Sequence, residues 1–563
     1  MKERIENLIR AVAAPGAVFQ VAVSERPSFG HYSTNIALRL SGAEKKSPLR
    51  AAEELVEKIR KHAPLGFFEK VEIAPPGFIN FWLSPETIQG GLREILARGA
   101  RYGRGTEGKG KTVIVEYSQP NIAKRMHVGH LRTTVLGDAL ANLYEFLGYR
   151  VVRWNYFGDW GTQFGKLIAA YKLWGSEKTV RAKPIQTLLD LYIRFHDEMK
   201  SNPELESRGR EEFRKLEEGD RENRKLWEWF KKESLREFHG IYKRLGIKFD
   251  VEMGEAFFEK DMKPLVDELV QAGIAQKSEG SLVIPLPGSD LPALIQKADG
   301  ASLYLTRDIA NLRYRIKKYK PEKIFYVVGN EQTLHFEQLF KVAEILGLRA
   351  AELIHVKYGL VLAEGGKKFA TREGRVVFLE DVIEKALDLS RAILEEKSPT
   401  LSAGEKKTIA EAVGIGALKY ANLKENRHSD IVFHWEQMLD FSGDSAPYFQ
   451  YTYARLQSIL RKAGRIGKSD LALLIGEEER ALILKMMEFP DVVRESAAEY
   501  ATNYLASYLY ALAVRVNKLY ETTPVLKEEN KLRKNALLGL IAAASGILKT
   551  DLSLLGIPVV PKM

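Results

Sequence analysis

Thr112-Val113-Ile114-Val115-Glu116-Tyr117-Ser118-Gln119-Pro120-Asn121-Ile122-Ala123-Lys124-Arg125-Met126-His127-Val128-Gly129-His130 opens as an unbroken apolar run and closes where a helical pattern begins. A short β-branched run without alternation reads as a strand covered on both faces. A helix follows from about residue 129, and then comes the strand-like Arg150-Val151-Val152-Arg153-Trp154. Strand, helix, strand in that order requires a crossover and so a parallel sheet. A helix that starts just after such a strand presents free N–H groups and the positive end of its dipole, which suits phosphate. Gly129 lets a nucleotide approach the backbone, and His127 and His130 can donate hydrogen bonds to phosphate oxygens as charge builds on them. Taken alone, His-x-Gly-His reads equally as two ordinary loop histidines.

Outward from this stretch the chain divides into three. Residues 1–107 read as a small α+β module that begins with an amphipathic helix and includes short strands at Val71-Glu72-Ile73 and Phe78-Ile79-Asn80-Phe81-Trp82. The glycine-rich segment from Gly103 to Gly110 reads as a linker. Residues 108–403 alternate strand and helix, with further strands at 323–328 and 353–356 and a charged helical insertion within about 165–300. Residues 404–563 are helical in pattern and read as a bundle.

With 563 residues the chain exceeds one ordinary core. It has no cysteine, which excludes disulfides and thiolate zinc sites and suits a cytoplasmic setting. Its histidines are not paired at metal-ligand spacing, so no structural metal is expected. A net charge of +11 suits a polyanionic partner. No membrane partner is expected, because no uninterrupted apolar run reaches the ~18 residues of a spanning helix.

The string VEYSQPNIAKRMHVGHLRTTVLGDAL, with FGDWGTQFG at 157–165, resembles the arginyl-tRNA synthetases. The His-x-Gly-His within it resembles the signature of class I aminoacyl-tRNA synthetases. The resemblance implies a Rossmann-like parallel-sheet catalytic domain, an N-terminal α+β additional domain that contacts the tRNA elbow, and a C-terminal α-helical anticodon-binding bundle. It implies ATP as substrate, Mg²⁺ with the ATP, and L-arginine and tRNA(Arg) as partners of a monomer. ATP would meet Pro120, Met126, His127, Gly129, His130 and Lys368. Residues 366–374 resemble the class's second phosphate-handling loop in degenerate form. Phe369-Ala370 stand where Met-Ser is usual and Glu373 where a basic residue is common. Lys368 and Arg372 would neutralise pyrophosphate, and Lys124 would replace the missing second lysine.

For the amino acid, a guanidinium needs carboxylate acceptors. The resemblance gives Tyr304 and Asp308 to the guanidinium, Asn121 and Gln332 to the amino and carboxylate end, and Glu116 as a second acid, with Ser118 beside them. Asp308 also reads as a helix cap and Glu116 as a surface strand residue. Residues 443–463 resemble the start of the anticodon-binding bundle, and 554–563 resemble its end. Tyr448, Tyr451, Arg455, Tyr520 and Met563 would hold tRNA, although any one tyrosine there also reads as bundle core. Two rivals follow from the same residues: a synthetase for another amino acid, and a non-catalytic tRNA-binding protein of this fold.

Overall fold

A computed structural model describes every residue except 25, 45, 298–303 and 363–376. The chain forms two compact units. One comprises Met1–Arg104, Asp440–Ser553 and Pro558–Met563, and the other Gly105–Leu439 with Leu554–Ile557.

The second unit is built on five parallel strands: β1 (Thr112–Glu116), β2 (Arg150–Phe157), β3 (Val251–Gly254), β4 (Lys323–Gly329) and β5 (Glu352–Tyr358). Their order is β5-β4-β1-β2-β3. In register, Glu116 lies opposite Trp154 on one side and Tyr326 on the other. The order reverses between β1 and β4, and sheets of this kind bind ligands outside the carboxyl ends of the strands at that switch. Four helices position the site: α1 (Val128–Phe146), α2 (Arg221–Leu245), α3 (Tyr304–Tyr319) and α4 (Thr333–Ile345). Ile114, Trp154, Ile309, Leu312, Ile324, Leu339 and Val342 share one buried cluster in which the sheet meets α3 and α4.

The expected insertion is present as a run of helices between Glu177 and Leu245. The sequence reading missed β3 and a small antiparallel sheet of Gln276–Ser278, Ser281–Ile284 and Ala293–Gln296. These strands are three or four residues long and partly polar, so they carry little periodic signal.

The first unit combines the N-terminal antiparallel sheet with the C-terminal helices. Gly91, on helix Pro85–Arg98, lies so close to Met487 that an added Cβ would clash with its side chain. Residues 1–104 therefore pack on the bundle. Helix Ala403–Leu423 belongs to the sheet-bearing unit, and the bundle's unit resumes at Asp440. The glycines after Arg104 are not a free linker. Gly105 and Gly108 donate to the carbonyls of Phe146 and Leu147, and side chains there would meet Leu147 and Tyr149.

Candidate active site

The loop from β1 to α1 bends sharply. Ser118, Gln119 and Ala123 all have positive φ, at 78°, 52° and 60°. Three such non-glycine residues within six positions constitute stored strain, which persists only where the surroundings fix it. The fixings are specific. Ser118 N–H donates to Thr133 Oγ1 at 3.2 Å, and Thr133 Oγ1 donates to the Val327 carbonyl at 2.7 Å. Ser118 Oγ lies 2.8 Å from Tyr242 Oη and 2.9 Å from Thr134 Oγ1. Ala123 N–H donates to Ser234 Oγ at 2.8 Å. Pro120 is buried, and its carbonyl accepts from Gly158 N–H at 3.1 Å. Helix α2 thus braces the loop through Tyr242 and Ser234, neither of which the sequence reading singled out. Ser118 is buried, and its hydroxyl already has two partners within the loop's supports.

At the start of α1 the two histidines cap each other. His127 Nδ1 accepts from Gly129 N–H at 3.1 Å, and His130 Nδ1 accepts from His127 N–H at 3.0 Å. Burial lowers both ring pKa values. Lys124 adds to the effect on His127, and His130 falls to about 3. Both rings are therefore mainly neutral at pH 7. Because Nδ1 accepts, the proton sits on Nε2, which is left as a donor. The Gly129 N–H is committed to the cap, which leaves the imidazole Nε2–H groups as the candidate donors at this turn. Met126 is buried, and its carbonyl accepts from Leu379 N–H at 2.9 Å, while Val128 N–H donates to the Val377 carbonyl at 3.2 Å. The chain that follows 363–376 is thereby pinned across His127. Lys368, Arg372 and Glu373 lie outside the described residues. Lys124 is exposed, with its ammonium 5.5 Å from the Tyr192 ring centre.

A second cluster gathers charge. Glu116, at the end of β1, is buried and ion-paired with Arg315, and its other oxygen accepts from Gln119 Nε2 at 2.7 Å. Arg315 is fully buried, 4.4 Å from the Trp154 ring centre. Glu116 is thus no surface residue, and its main partner comes from within the chain. Asp308 lies inside α3 and meets His335 Nε2 at 2.6 Å, so it is not the helix cap. Burial would depress the His335 pKa, but the hydrogen bond and charge of Asp308, with Glu116 behind, raise it. Glu255, after β3, pairs with Arg307 at 3.1 Å. Burial lifts its carboxyl, Arg307 pulls it back, and Asp308 and Asp159 push it further, to about 8. Asp159 pairs with Lys231 at 2.8 Å. Four carboxyls therefore face three permanent cations and one histidine. Among the described residues the buried Tyr156 hydroxyl has no hydrogen-bond partner, and the charges of Asp308, Glu255 and Glu116 all bear on it. A buried hydroxyl without a partner beside surplus acid suits a cationic donor. Tyr304 is 59% exposed, and Asn121 and Gln332 are exposed too. The sequence reading missed Glu255, because a lone Glu after a four-residue edge strand has no local pattern.

In the other unit, a cavity of about 870 Å³ is lined by Tyr451, Arg455, Tyr520, Lys527 and Met563, among others. The Arg455 guanidinium lies 4.8 Å from the Tyr451 ring centre and 4.5 Å from that of Tyr520. Tyr448 is part-buried, and its hydroxyl accepts from Asn517 Nδ2 at 2.9 Å. Phe449 and Tyr453 are core residues.

Comparison with known proteins identifies the family. Residues 91–435 match the model of the class I (R) tRNA synthetase catalytic domain, 449–563 the DALR anticodon binding domain, and 1–83 the arginyl tRNA synthetase N terminal domain. The chain belongs to the arginyl-tRNA synthetases. It is 42% identical over 548 residues to the arginine–tRNA ligase of Halothermothrix orenii, covering 96% of this chain and 95% of that one. Its fold matches the Thermus thermophilus arginyl-tRNA synthetase with a TM-score of 0.84 at 27% identity, covering 100% of this chain and 99% of the other. The Plasmodium falciparum arginyl-tRNA synthetase matches with a TM-score of 0.82 at 26% identity, covering 100% and 98%. The Rossmann-like sheet, the N-terminal α+β region and the C-terminal helices expected of an arginyl-tRNA synthetase are all present.

Proposed function

We propose that the chain activates L-arginine with ATP to arginyl-adenylate and transfers the arginyl group to the 3′-terminal adenosine of tRNA(Arg). The acid surplus around the unpartnered Tyr156 hydroxyl carries the amino-acid assignment. Glu255 and Asp308 accept from the guanidinium, with Tyr304 at the rim and Glu116 acting through the field it shares with Arg315. Asn121 and Gln332 hold the amino and carboxylate end. Ser118 supports the loop. The arginine carboxylate then attacks the α-phosphate, and pyrophosphate leaves. His127 and His130 donate from Nε2 to phosphate oxygens, with the ATP seated along Pro120, Met126 and Gly129. Lys124 adds a permanent charge at the same turn, and Lys368 and Arg372 are assigned to the departing pyrophosphate. In the second step the 2′-hydroxyl of the terminal ribose attacks the carbonyl and AMP leaves. Positioning and charge stabilisation supply most of the rate in such displacements.

Mg²⁺ would arrive with the ATP phosphates. Among the described residues no three His, Asp or Glu side chains are grouped to hold a metal, and no step here is routed through one. Tyr448, Tyr451, Arg455, Tyr520 and Met563 offer flat faces and charge to unstacked anticodon bases. The functional division assigns 1–107 to the tRNA elbow, 108–403 to chemistry and 404–563 to the anticodon. Action as a cytoplasmic monomer without a membrane belongs to the same reading. Helix Lys531–Leu554 is long and apolar enough to span a membrane, but 72% of its apolar window is buried within the protein.

The test is a charging assay with unfractionated tRNA, ATP and each amino acid in turn. Arginine alone should be attached with release of AMP. Attachment of a different amino acid, or of none, contradicts the reading and favours one of its rivals.

A further inference from the structure

Asp159 belongs to the string Phe157-Gly158-Asp159-Trp160 at the carboxyl end of β2 and takes no part in the chemistry above. Its side chain is wholly buried, yet it has three connections. One oxygen accepts from Lys231 Nζ and the other from the Ala256 N–H, both at 2.8 Å. Its backbone carbonyl accepts from Trp227 Nε1 at 2.7 Å. Lys231 and Trp227 lie on α2, the helix that also braces the β1–α1 loop. A Cβ on Gly254 would fall on the Asp159 carboxylate, so glycine at that position lets β3 end against it. Ala256 is the residue after Glu255. The hydrogen bond it gives Asp159 fixes the short turn Glu255–Phe258 that presents the Glu255 carboxylate.

We propose that Asp159 is a specificity-determining positioning residue, which through the Ala256 N–H holds Glu255 where it can accept from a guanidinium. The inference rests on the reading of Glu255 given under the proposed function. Lys231 and Trp227 hold Asp159, Asp159 holds the turn, and the turn aims Glu255. Discrimination between arginine and a side chain of the same shape without positive charge then depends on a residue that never touches the substrate. A carboxylate displaced by about 1 Å loses much of a directional, charge-assisted bond. The same carboxylate is one of three charged groups bearing on Glu255, with Arg307 and Asp308. Its effect is therefore electrostatic as well as geometric.

The experiment compares the full-length protein with Asp159→Leu, Lys231→Met, Glu255→Gln and the Asp159→Leu/Glu255→Gln double variant. Kinetic constants for arginine and for ATP are measured in the charging assay from pH 6.5 to 9, alongside thermal melts. Asp159→Leu keeps the bulk but removes both the charge and the acceptor for the Ala256 N–H. At pH 9, where Glu255 is mainly ionised in either protein, it should raise the arginine KM about tenfold, with the ATP KM and kcat within about twofold. It should also move the pH dependence of the arginine KM downward, because a negative neighbour of Glu255 is gone. Lys231→Met should change the arginine KM at that pH in the same direction by a smaller factor. In the Glu255→Gln background, Asp159→Leu should add almost nothing. If Glu255→Gln raises the arginine KM while Asp159→Leu and Lys231→Met do not, the positioning role is wrong and the pocket stands. If Glu255→Gln leaves the arginine KM unchanged, the pocket itself is wrong and the inference falls with it. Equal losses for arginine, ATP and kcat, with a lowered Tm, would show that Asp159 serves only the fold.

Discussion

The histidine turn and the acid cluster both sit at the carboxyl end of one sheet, and burial drives both toward neutrality. His127 and His130 lose their protons, and Glu255 gains one. They differ in how the neutral state is held. The histidines cap each other through hydrogen bonds spanning two and three residues, so their tautomer is set by backbone that any helix start provides. The carboxyls are balanced by partners 27 to 199 residues away: His335 for Asp308, Arg307 for Glu255, Lys231 for Asp159 and Arg315 for Glu116. A local device keeps one charge state throughout the reaction, which suits donors to a phosphate that is always negative. A long-range balance with an acid in surplus shifts when a cation enters, and that suits selection of a cationic side chain.

If the turn is the phosphate device, its loss should have the largest effect. His130→Ala removes a donor and also strips the acceptor from the His127 N–H. Activation should fall roughly 10²–10³-fold with the arginine KM little changed, as read by single-turnover adenylate formation. A near-normal rate would remove the histidines from the chemistry. Disruption of the acid cluster should show the opposite signature. Asp308→Asn should cost about 2–4 kcal/mol in kcat/KM for arginine, with the ATP KM unmoved. An equal effect on ATP would mean that the two regions are not separable. Lys124→Ala, which leaves both histidines and all the acids in place, should slow adenylate formation by about 10²-fold. Smaller still, Tyr520→Leu should weaken tRNA binding about tenfold while arginine-dependent steps at saturating tRNA stay intact.

The same contrast explains what could be read from the sequence. β1, its β-branched run and the His-x-Gly-His that follows are contiguous, so strand, turn and helix were all legible. Asp308 and Tyr304 were legible through a resemblance carried by a short string, although the helix-cap alternative for Asp308 falls only once His335 is seen beside it. Glu116 appeared as a free acid because Arg315 lies 199 residues away and no spacing rule connects them. Glu255, Asp159 and Tyr242 acquire roles only when β3 and α2 are placed against β2. The glycines after Arg104 look like a flexible joint in one dimension, whereas in three they allow close backbone packing on Leu147 and Tyr149. For the N-terminal region the structure alters an expectation. Removal of residues 1–104 uncovers the Met487 face of the bundle, so truncation should lower the Tm of the remainder as well as weaken tRNA binding.

The claim that surplus buried acid selects arginine is tested most directly by the pH dependence of the arginine KM. Glu255 has its carboxyl raised to about 8, so in the free enzyme it is mainly protonated below that pH, and a guanidinium must draw it into the ionised form. The arginine KM should therefore fall as pH rises, by up to about tenfold per unit below 8, and level off above it. The Asp308 carboxylate also raises the His335 pKa, and a protonated His335 competing for Asp308 acts in the same direction. In Glu255→Gln most of this dependence should vanish and the KM should stay high throughout. An arginine KM that is flat from pH 6.5 to 9 in the unaltered protein, or a slope that is undiminished in Glu255→Gln, would contradict the account.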